Sequence, residues 1–267
     1  MSKHYLANIT WRCQNHCSYC WLNGSIRMRD EMMNAPERPL EDWVAAIKRD
    51  RVDVVDLAGG EPLLVPWLPE LVAACPETQF GLSTNGMAYD ALERLLAGRP
   101  RNLCSINLSF HPETGIGYMR RFRAAARLMA LYGAPCHSNI VDAPQIHDQV
   151  KEALTMLTEM GLRAVVSPFE DVETLGEILP QGLRCRGGID HLTIAPDGSA
   201  WPCLTTIRSP MWRSTCLGNW LDGELDLSAK PEPCHLNCVD YYVLPSQHIA
   251  GDMWDIHAEP WAEDTEE

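Results

Sequence analysis

The sequence has no run of apolar residues long enough to cross a membrane, and its first residues lack the apolar stretch of a secretory signal. Basic residues are also scarce, since 22 Lys and Arg stand against 36 Asp and Glu, a net charge of -14. Phosphate binding needs a basic surface, so nucleic acid is not expected as the main partner. These absences predict a soluble, cytoplasmic protein that binds neither membranes nor nucleic acid.

The remaining composition is that of an ordinary globular protein, with 46% hydrophobic and 22% charged residues in a chain of 267. This length suits one large α/β domain with an appendage, or two modest domains. The 11 cysteines are an odd number, and the cytosol is reducing, so thiols and metal ligands are expected rather than disulfides. Residues 252–267 hold seven carboxylates and no Lys or Arg, which favours a solubilising tail over a flap that covers a site.

Short β-branched runs alternate with longer amphipathic stretches over residues 4–169. The predicted strands span 4–11, 51–60, 78–86, 103–110, 136–143 and 163–169. The predicted helices between them span 40–50, 67–75, 89–98, 118–133 and 148–161. Strands separated by helices are expected to be parallel, in either an open doubly wound sheet or a partial barrel. In both folds, ligands bind at the carboxyl ends of the strands.

The pattern changes near residue 170. After a stretch that resembles a linker, "HLTI" and "AWPC" flank "APDGS", a strong signal for a β-hairpin. The C-terminal part is therefore predicted to be a smaller module with its own cysteines.

Three cysteines lie close together just after the first predicted strand. Cys13, Cys17 and Cys20 can hold three corners of a cubane iron–sulfur cluster, which leaves the fourth iron without a protein ligand. Such an open iron can chelate a small molecule through an amine and a carboxylate. Taken alone, the spacing also permits a zinc loop or a chance cluster.

The Cys-x3-Cys-x2-Cys spacing, with Tyr19 before the last cysteine, resembles the radical S-adenosylmethionine (SAM) enzymes. "GGEP" after the second strand strengthens the resemblance. It implies that Gly59 and Gly60 bring the backbone close to SAM and that Glu61 faces its ammonium group. The alternatives are a plain turn for the glycines and a solvated charge for Glu61.

Further SAM contacts follow from the same resemblance. It implies roles for polar residues on the third to fifth strands: Thr84, Asn85, Ser109 and Asn139. Ser109 and Asn139 would reach the ribose. Each of these residues is equally well interpreted as a polar cap of a strand end.

A second group of cysteines follows the barrel. Cys185, Cys203, Cys234 and Cys238 would suit a zinc ribbon if judged alone. Beside a radical SAM core they resemble a Twitch module, the shortened SPASM extension, and imply a second, auxiliary [4Fe–4S] cluster. Cys216 is a possible hydrogen-atom donor, a replacement ligand or a packing residue. The three others, Cys75, Cys104 and Cys136, are predicted to pack in the core.

The resemblance implies a partial (β/α)6 TIM-like barrel over 1–169, a linker over 170–184, a Twitch-like module over 185–250 with a β-hairpin and helix, and the acidic tail over 251–267. It implies a [4Fe–4S] cluster that binds SAM, and an oxidoreductase that generates a 5'-deoxyadenosyl radical. We expect hydrogen abstraction from a small polar metabolite of the amino sugar or aminocyclitol type, with dehydrogenation favoured. The alternatives are an epimerase, a peptide-modifying enzyme and a non-catalytic iron–sulfur carrier.

One predicted helix carries a basic face. Arg120, Arg123 and Arg127 recur at helical spacing opposite apolar residues. A solvated face is the default interpretation. In an acidic protein the same face also suits an acidic reductant such as flavodoxin or ferredoxin.

Overall fold

The computed structural model describes residues 2–24, 26, 29–111, 117–144, 146–168 and 187–227. The strands are β1 His4–Thr10, β2 Val54–Gly59, β3 Gln79–Thr84, β4 Leu103–Phe110, β5 Cys136–Asp142, β6 Arg163–Pro168, β7 His191–Ile194, β8 Ser199–Trp201, β9 Gly218–Asn219 and β10 Glu224–Leu225. The helices are α1 Trp21–Gly24, α2 Asp30–Met33, α3 Leu40–Asp50, α4 Leu68–Ala74, α5 Tyr89–Ala97, α6 Tyr118–Leu131, α7 His147–Glu159 and α8 Leu204–Arg208, with a 3-10 turn at Pro62–Leu64.

All described strands belong to one sheet, in the order β10-β9-β8-β7-β1-β2-β3-β4-β5-β6. Strands β1 to β6 lie side by side in parallel, as consecutive β/α units require. Strands β6 and β10 are the two edges, so the sheet does not close on itself. The α/β fold with a partial barrel is confirmed, and so are the six predicted strands and the five predicted helices of its core.

The core lies between the sheet and its helices because strand residues alternate between two faces. Tyr5, Ala7 and Ile9 of β1 pack into the main core, as do buried residues of α3 such as Trp43 and Ile47. Burying a side chain of the size of Ile9 or Ile47 stabilises the fold by about 1.5–3 kcal/mol. The opposite face of the sheet is left to line the inside of the partial barrel.

The predicted hairpin is confirmed as the antiparallel pair β7 and β8. Its turn needs Gly198, whose φ is +92°, and Asp197 accepts a 3.0 Å hydrogen bond from the Ser199 backbone. The hairpin does not form a separate layer, because β7 pairs in parallel with β1 and thereby extends the barrel sheet. The predicted linker and the acidic tail lie outside the described residues.

Beyond the hairpin, the chain returns to pack against α3. Trp220 stacks edge-on against Tyr5 and donates a 2.6 Å hydrogen bond from its indole nitrogen to Asp50. Arg49 donates to the backbone carbonyls of Trp220 and Leu221. Within the described part of the chain, no helix combines the length and apolarity needed to cross a bilayer.

Candidate SAM and iron–sulfur site

The three-cysteine loop follows β1 directly, at the carboxyl end of the sheet. The backbone N–H of Cys20 donates to the carbonyl of Cys17 at 3.2 Å, and the side chain of Asn23 donates to the same carbonyl. Cys17 is buried, whereas Cys13 and Cys20 are half-buried. The loop therefore buries one cysteine and leaves the other two partly accessible.

Gly59 and Gly60 pack against the start of this loop. The N–H of Gly60 donates to Thr10 and the N–H of Glu61 donates to Arg12, both at 2.8 Å. A Cβ on Gly60 would lie 2.2 Å from the carbonyl oxygen of Arg12, and one on Gly59 would lie 2.2 Å from that of Thr10. Glycine is needed here because backbone meets backbone immediately before Cys13. The predicted approach of these glycines to SAM stays a prediction.

Glu61 is fully buried, so it is not a solvated charge. Its carboxylate accepts hydrogen bonds from the Thr84 hydroxyl at 2.7 Å, the Asn85 N–H at 2.8 Å and the Leu63 N–H at 3.2 Å. Loss of hydration raises the pKa of Glu61 to about 7, although these three donors favour the charged form. The carboxylate thus connects "GGEP" to the end of β3. Its predicted contact with an ammonium group is untested.

Asn85 links the end of β3 to the cysteine loop. Its side-chain amide donates to the sulfur of Cys13 at 3.7 Å, and its carbonyl oxygen accepts from the Gln14 side chain at 3.0 Å. The backbone N–H of Asn15 donates to the same sulfur at 3.4 Å. Sulfur that accepts N–H groups is well suited to be a thiolate ligand, because such hydrogen bonds stabilise its charge.

Sequence reasoning missed two residues that support the loop, His111 directly after β4 and Tyr118 at the start of α6. The Tyr19 hydroxyl lies 3.2 Å from Nδ1 of His111, and the two rings are stacked. The backbone N–H of His111 donates to the hydroxyl of Tyr118, the first residue of α6. Burial raises the pKa of Tyr118 well above its usual value. The sequence could have indicated His111 through its position directly after β4, because site residues of α/β proteins lie at the carboxyl ends of strands.

Ser109 and Asn139, the predicted ribose contacts, are brought together as register partners on β4 and β5. Both are half-buried. The backbone N–H of Asn139 donates to the side chain of Asn107 at 3.1 Å. The pairing places a hydroxyl group beside an amide, and their contact with the ribose stays a prediction.

Two cysteines of the second group are described. Cys203 is buried at the start of α8, where its backbone exchanges hydrogen bonds with the Thr206 hydroxyl. Cys216 is half-buried, burial raises its pKa, and its sulfur lies 3.8 Å from the carbonyl of Gly218. The other predicted ligands, Cys185, Cys234 and Cys238, lie outside the described residues.

A second hydrophobic cluster joins the cysteine loop to the hairpin. This tryptophan cluster consists of Trp11, Leu22, Ile26, Met32, Ala195, Trp201 and Ile207. Cys20 packs against it from the loop and Cys216 from the hairpin side. Within the ranges described, no three His, Cys, Asp or Glu side chains are placed together as ligands of a metal ion.

The three remaining cysteines lie outside the site. Cys75 is buried in the main core and Cys136 packs against it, as predicted. Burial raises the pKa of Cys136 to about 12. Cys104 is half-buried and lines a small cavity with Asp56 and Ser105, near the amino ends of the strands.

A partial barrel that gathers a three-cysteine loop, a Gly-Gly-Glu turn and an Asn-Gly turn at its carboxyl end defines the class of SAM-dependent iron–sulfur proteins. The family model for the Radical SAM superfamily matches residues 7–179, and the chain belongs to this superfamily.

Among curated proteins, GTP 3',8-cyclase 2 of Mycobacterium tuberculosis (strain ATCC 25618 / H37Rv) is 35% identical over 85 residues. This match covers 30% of the chain and only 24% of the cyclase. The same similarity is found for GTP 3',8-cyclase 2 of Mycobacterium bovis. The matched segment is thus about a quarter of these relatives.

Several solved structures share the fold. Streptococcus suis SuiB bound to S-adenosylmethionine has a TM-score of 0.64 and 17% identity, over 87% of this chain and 66% of SuiB. anSMEcpe with bound AdoMet has a TM-score of 0.61 and 14% identity, over 87% and 78% of the two chains. BtrN in complex with AdoMet and 2-DOIA has a TM-score of 0.52 and 13% identity, over 84% and 80%. At these identities the likeness shows the fold alone.

Proposed function

We propose that this chain is a radical SAM oxidoreductase that removes hydrogen from a C–H bond of a small polar metabolite, of the amino sugar or aminocyclitol type. Cys13, Cys17 and Cys20 would hold the [4Fe–4S] cluster that the family implies, with SAM on its open iron. When bound, the cluster and SAM supply the one-electron chemistry that generates the hydrogen-abstracting radical. The chain's own residues position the substrate and exclude water.

The described residues fit these cofactors. Cys13 already accepts two N–H groups, and the glycine turn brings β2 against the residue that precedes it. Ser109 and Asn139 offer a hydroxyl and an amide side by side for a ribose. Cys13 and Cys20 are only half-buried, in a loop that follows the carboxyl end of β1.

The observation that carries the proposal is the polarity of the face inside the barrel. Alternate strand residues on this face carry hydroxyl and amide groups on five strands: Asn8, Ser83, Asn107, Asn139 and Thr193. The Asn8 side-chain oxygen and the Thr193 hydroxyl are buried, and neither has a hydrogen-bond partner among the residues that the structure describes. Buried polar atoms rarely stay unpaired, so this face favours a ligand rich in hydroxyl and amine groups.

Dehydrogenation is the preferred outcome, and it relies on a further proposal. Cys185, Cys203, Cys234 and Cys238 would hold an auxiliary [4Fe–4S] cluster that accepts the electron from the substrate radical. The protein would then bind about eight irons, falling to about four when all four cysteines are replaced by Ala. Stoichiometric zinc with unchanged iron would support a ribbon instead.

Peptide modification is the second candidate. Among the structures that share the fold are anSMEcpe with bound AdoMet and Kp18Cys peptide, at a TM-score of 0.60, and SuiB bound to precursor peptide SuiA, at 0.58. The polar face inside the barrel would also suit a short polar peptide segment. Mass spectrometry of metabolite and peptide mixtures after turnover separates the two candidates.

Reduction of the reconstituted protein with SAM should release 5'-deoxyadenosine, and Cys17→Ala should abolish this. Cys75→Ala is the matched control, because Cys75 is also buried but lies outside the loop. Full SAM cleavage by the Cys17 variant would contradict the cluster assignment. A reduced protein that binds iron but never cleaves SAM would support the non-catalytic carrier.

Deuterated water then distinguishes the outcomes with substrate. Dehydrogenation gives a product two mass units lighter with no deuterium at the carbon attacked. Epimerisation keeps the mass of the skeleton and incorporates one deuterium from an exchangeable donor.

A further inference from the structure

Helix α6 carries a basic patch on its exposed surface, formed by Arg120, Arg121, Arg123 and Arg127. All four side chains are exposed. None of them forms an ion pair with any residue that the structure describes. Among the described residues, the patch therefore presents four positive charges without an ion-pair partner, in a chain whose net charge is -14.

The position of these charges opposes the helix dipole. The N-terminus of a helix favours negative side chains, and α3, α4, α5 and α7 each have an acidic residue in the first turn. Helix α6 has none, and its first two turns instead carry Arg120, Arg121 and Arg123. Since this arrangement does not help the helix to form, a role outside the fold accounts for it better.

The patch begins at the end of the barrel that holds the cysteine loop. Tyr118, the first residue of α6, contacts His111, and His111 contacts Tyr19 within the loop. Arg121 also donates to the sulfur of Met87, which follows the "STNG" turn that touches Cys13. A protein seated on the first turns of α6 would therefore lie beside the loop rather than at the far end of the barrel.

We infer that the basic patch of α6 is the docking surface for an acidic one-electron carrier protein. The inference rests on the proposed function, because SAM cleavage consumes one electron that the donor must lose and the loop's cluster must gain. Two acidic proteins repel each other at long range, so a local basic surface is needed to attract and orient such a donor. This surface combines positive charge, side chains that form no ion pair with any described residue, and proximity to the loop.

The test compares two variants with equal charge loss in the anaerobic holoprotein. Arg120→Gln/Arg123→Gln removes two charges from the patch. Arg94→Gln/Arg101→Gln removes two exposed arginines that also form no ion pair with any described residue but lie toward the amino ends of the strands. An acidic flavodoxin serves as the protein donor, and dithionite serves as the small-molecule reductant.

Binding of flavodoxin is measured directly at about 0.05 M and about 0.5 M salt. At low salt the patch variant should bind about tenfold more weakly than the wild type, and the control within about twofold. High salt should remove the difference because it screens surface charges. With flavodoxin as the donor, SAM cleavage by the patch variant should fall in parallel with binding. With dithionite as the reductant, SAM cleavage by this variant should stay unchanged.

Equal binding by the patch variant and the wild type at low salt would overturn the inference, as would equal losses in both variants. Patch-dependent binding of a short single-stranded DNA without binding of flavodoxin would overturn it too. Failure of the wild type to cleave SAM with dithionite would count against the proposed function instead. The binding measurement separates that failure from failure of the docking surface.

Discussion

Gly60→Ala offers the sharpest test of how the site is built. The new Cβ would lie 2.2 Å from the carbonyl oxygen of Arg12, 2.6 Å from its carbonyl carbon and 2.7 Å from the carbonyl oxygen of Trp11. All three atoms belong to the backbone, so no side chain can rotate away. Gly60 does not have a positive φ, and the clash alone would therefore cause the effect.

Relief of this clash requires β2 and the loop start to separate. Overpacking of this kind costs about 1–3 kcal/mol. Loss of the two hydrogen bonds that Gly60 and Glu61 donate adds about 1 kcal/mol each. We expect a total loss of about 3–5 kcal/mol in the free energy of unfolding, or about 6–20 °C in Tm for a chain of this size.

Gly98→Ala is the matched control, because the nearest atom to its Cβ is 3.4 Å away and Gly98 adopts a right-handed helical conformation. This variant should be neutral or more stable by about 0.4–1 kcal/mol. Urea unfolding measures both variants, and iron content with SAM binding reports the state of the loop. If Gly60→Ala unfolds within about 1 kcal/mol of the wild type and keeps its iron, the close packing of this turn is wrong.

Three further predictions concern other parts of the site. Between pH 4.5 and about 7 the folded chain holds a proton on Glu61 that the unfolded chain releases. The free energy of unfolding should therefore fall by about 3 kcal/mol as pH rises through this window. Urea unfolding of Glu61→Gln should lack this pH dependence. Arg29→Ala should lower the free energy of unfolding by about 2–4 kcal/mol, because Arg29 donates to three carbonyls at the end of α8. As a control, Arg213→Ala at an exposed position should change it by less than about 1 kcal/mol. Cys216→Ala should leave dehydrogenation largely intact, and loss of turnover with both clusters bound would instead identify this thiol as the hydrogen donor.

The barrel could be predicted from the sequence because its signals are local. Each strand of the core is a short apolar run closed by turn residues, and each helix has its own apolar stripe. The cysteine loop and "GGEP" were equally visible, since their residue types and spacing lie within a few positions of one another. The hairpin was predicted from "APDGS" and the apolar runs "HLTI" and "AWPC" that flank it.

The contacts that assemble the site were not visible in the sequence, because they join residues far apart in the chain. The parallel pairing of β7 with β1 brings residues 191–194 beside 4–7. "GGEP" singles out Glu61, but it does not show that the carboxylate is buried and accepts hydrogen bonds from Thr84 and Asn85 at the end of β3. Nothing near Arg29 in the sequence indicates that it reaches the carbonyl of Arg208.

The cysteine loop itself has little regular structure, so its conformation depends on what packs around it. The glycine turn of β2 fixes its start, Asn85 holds Cys13, and the tryptophan cluster covers Cys20. Three residues of that cluster, Ala195, Trp201 and Ile207, come from the hairpin and α8. Without them Trp11 and Ile26 would face water, at a cost of about 25 cal/mol for each Å² of apolar surface. Ordering of the cysteine loop and docking of the hairpin are therefore coupled, which explains why the C-terminal strands extend the barrel sheet at β1, the strand that leads into the loop.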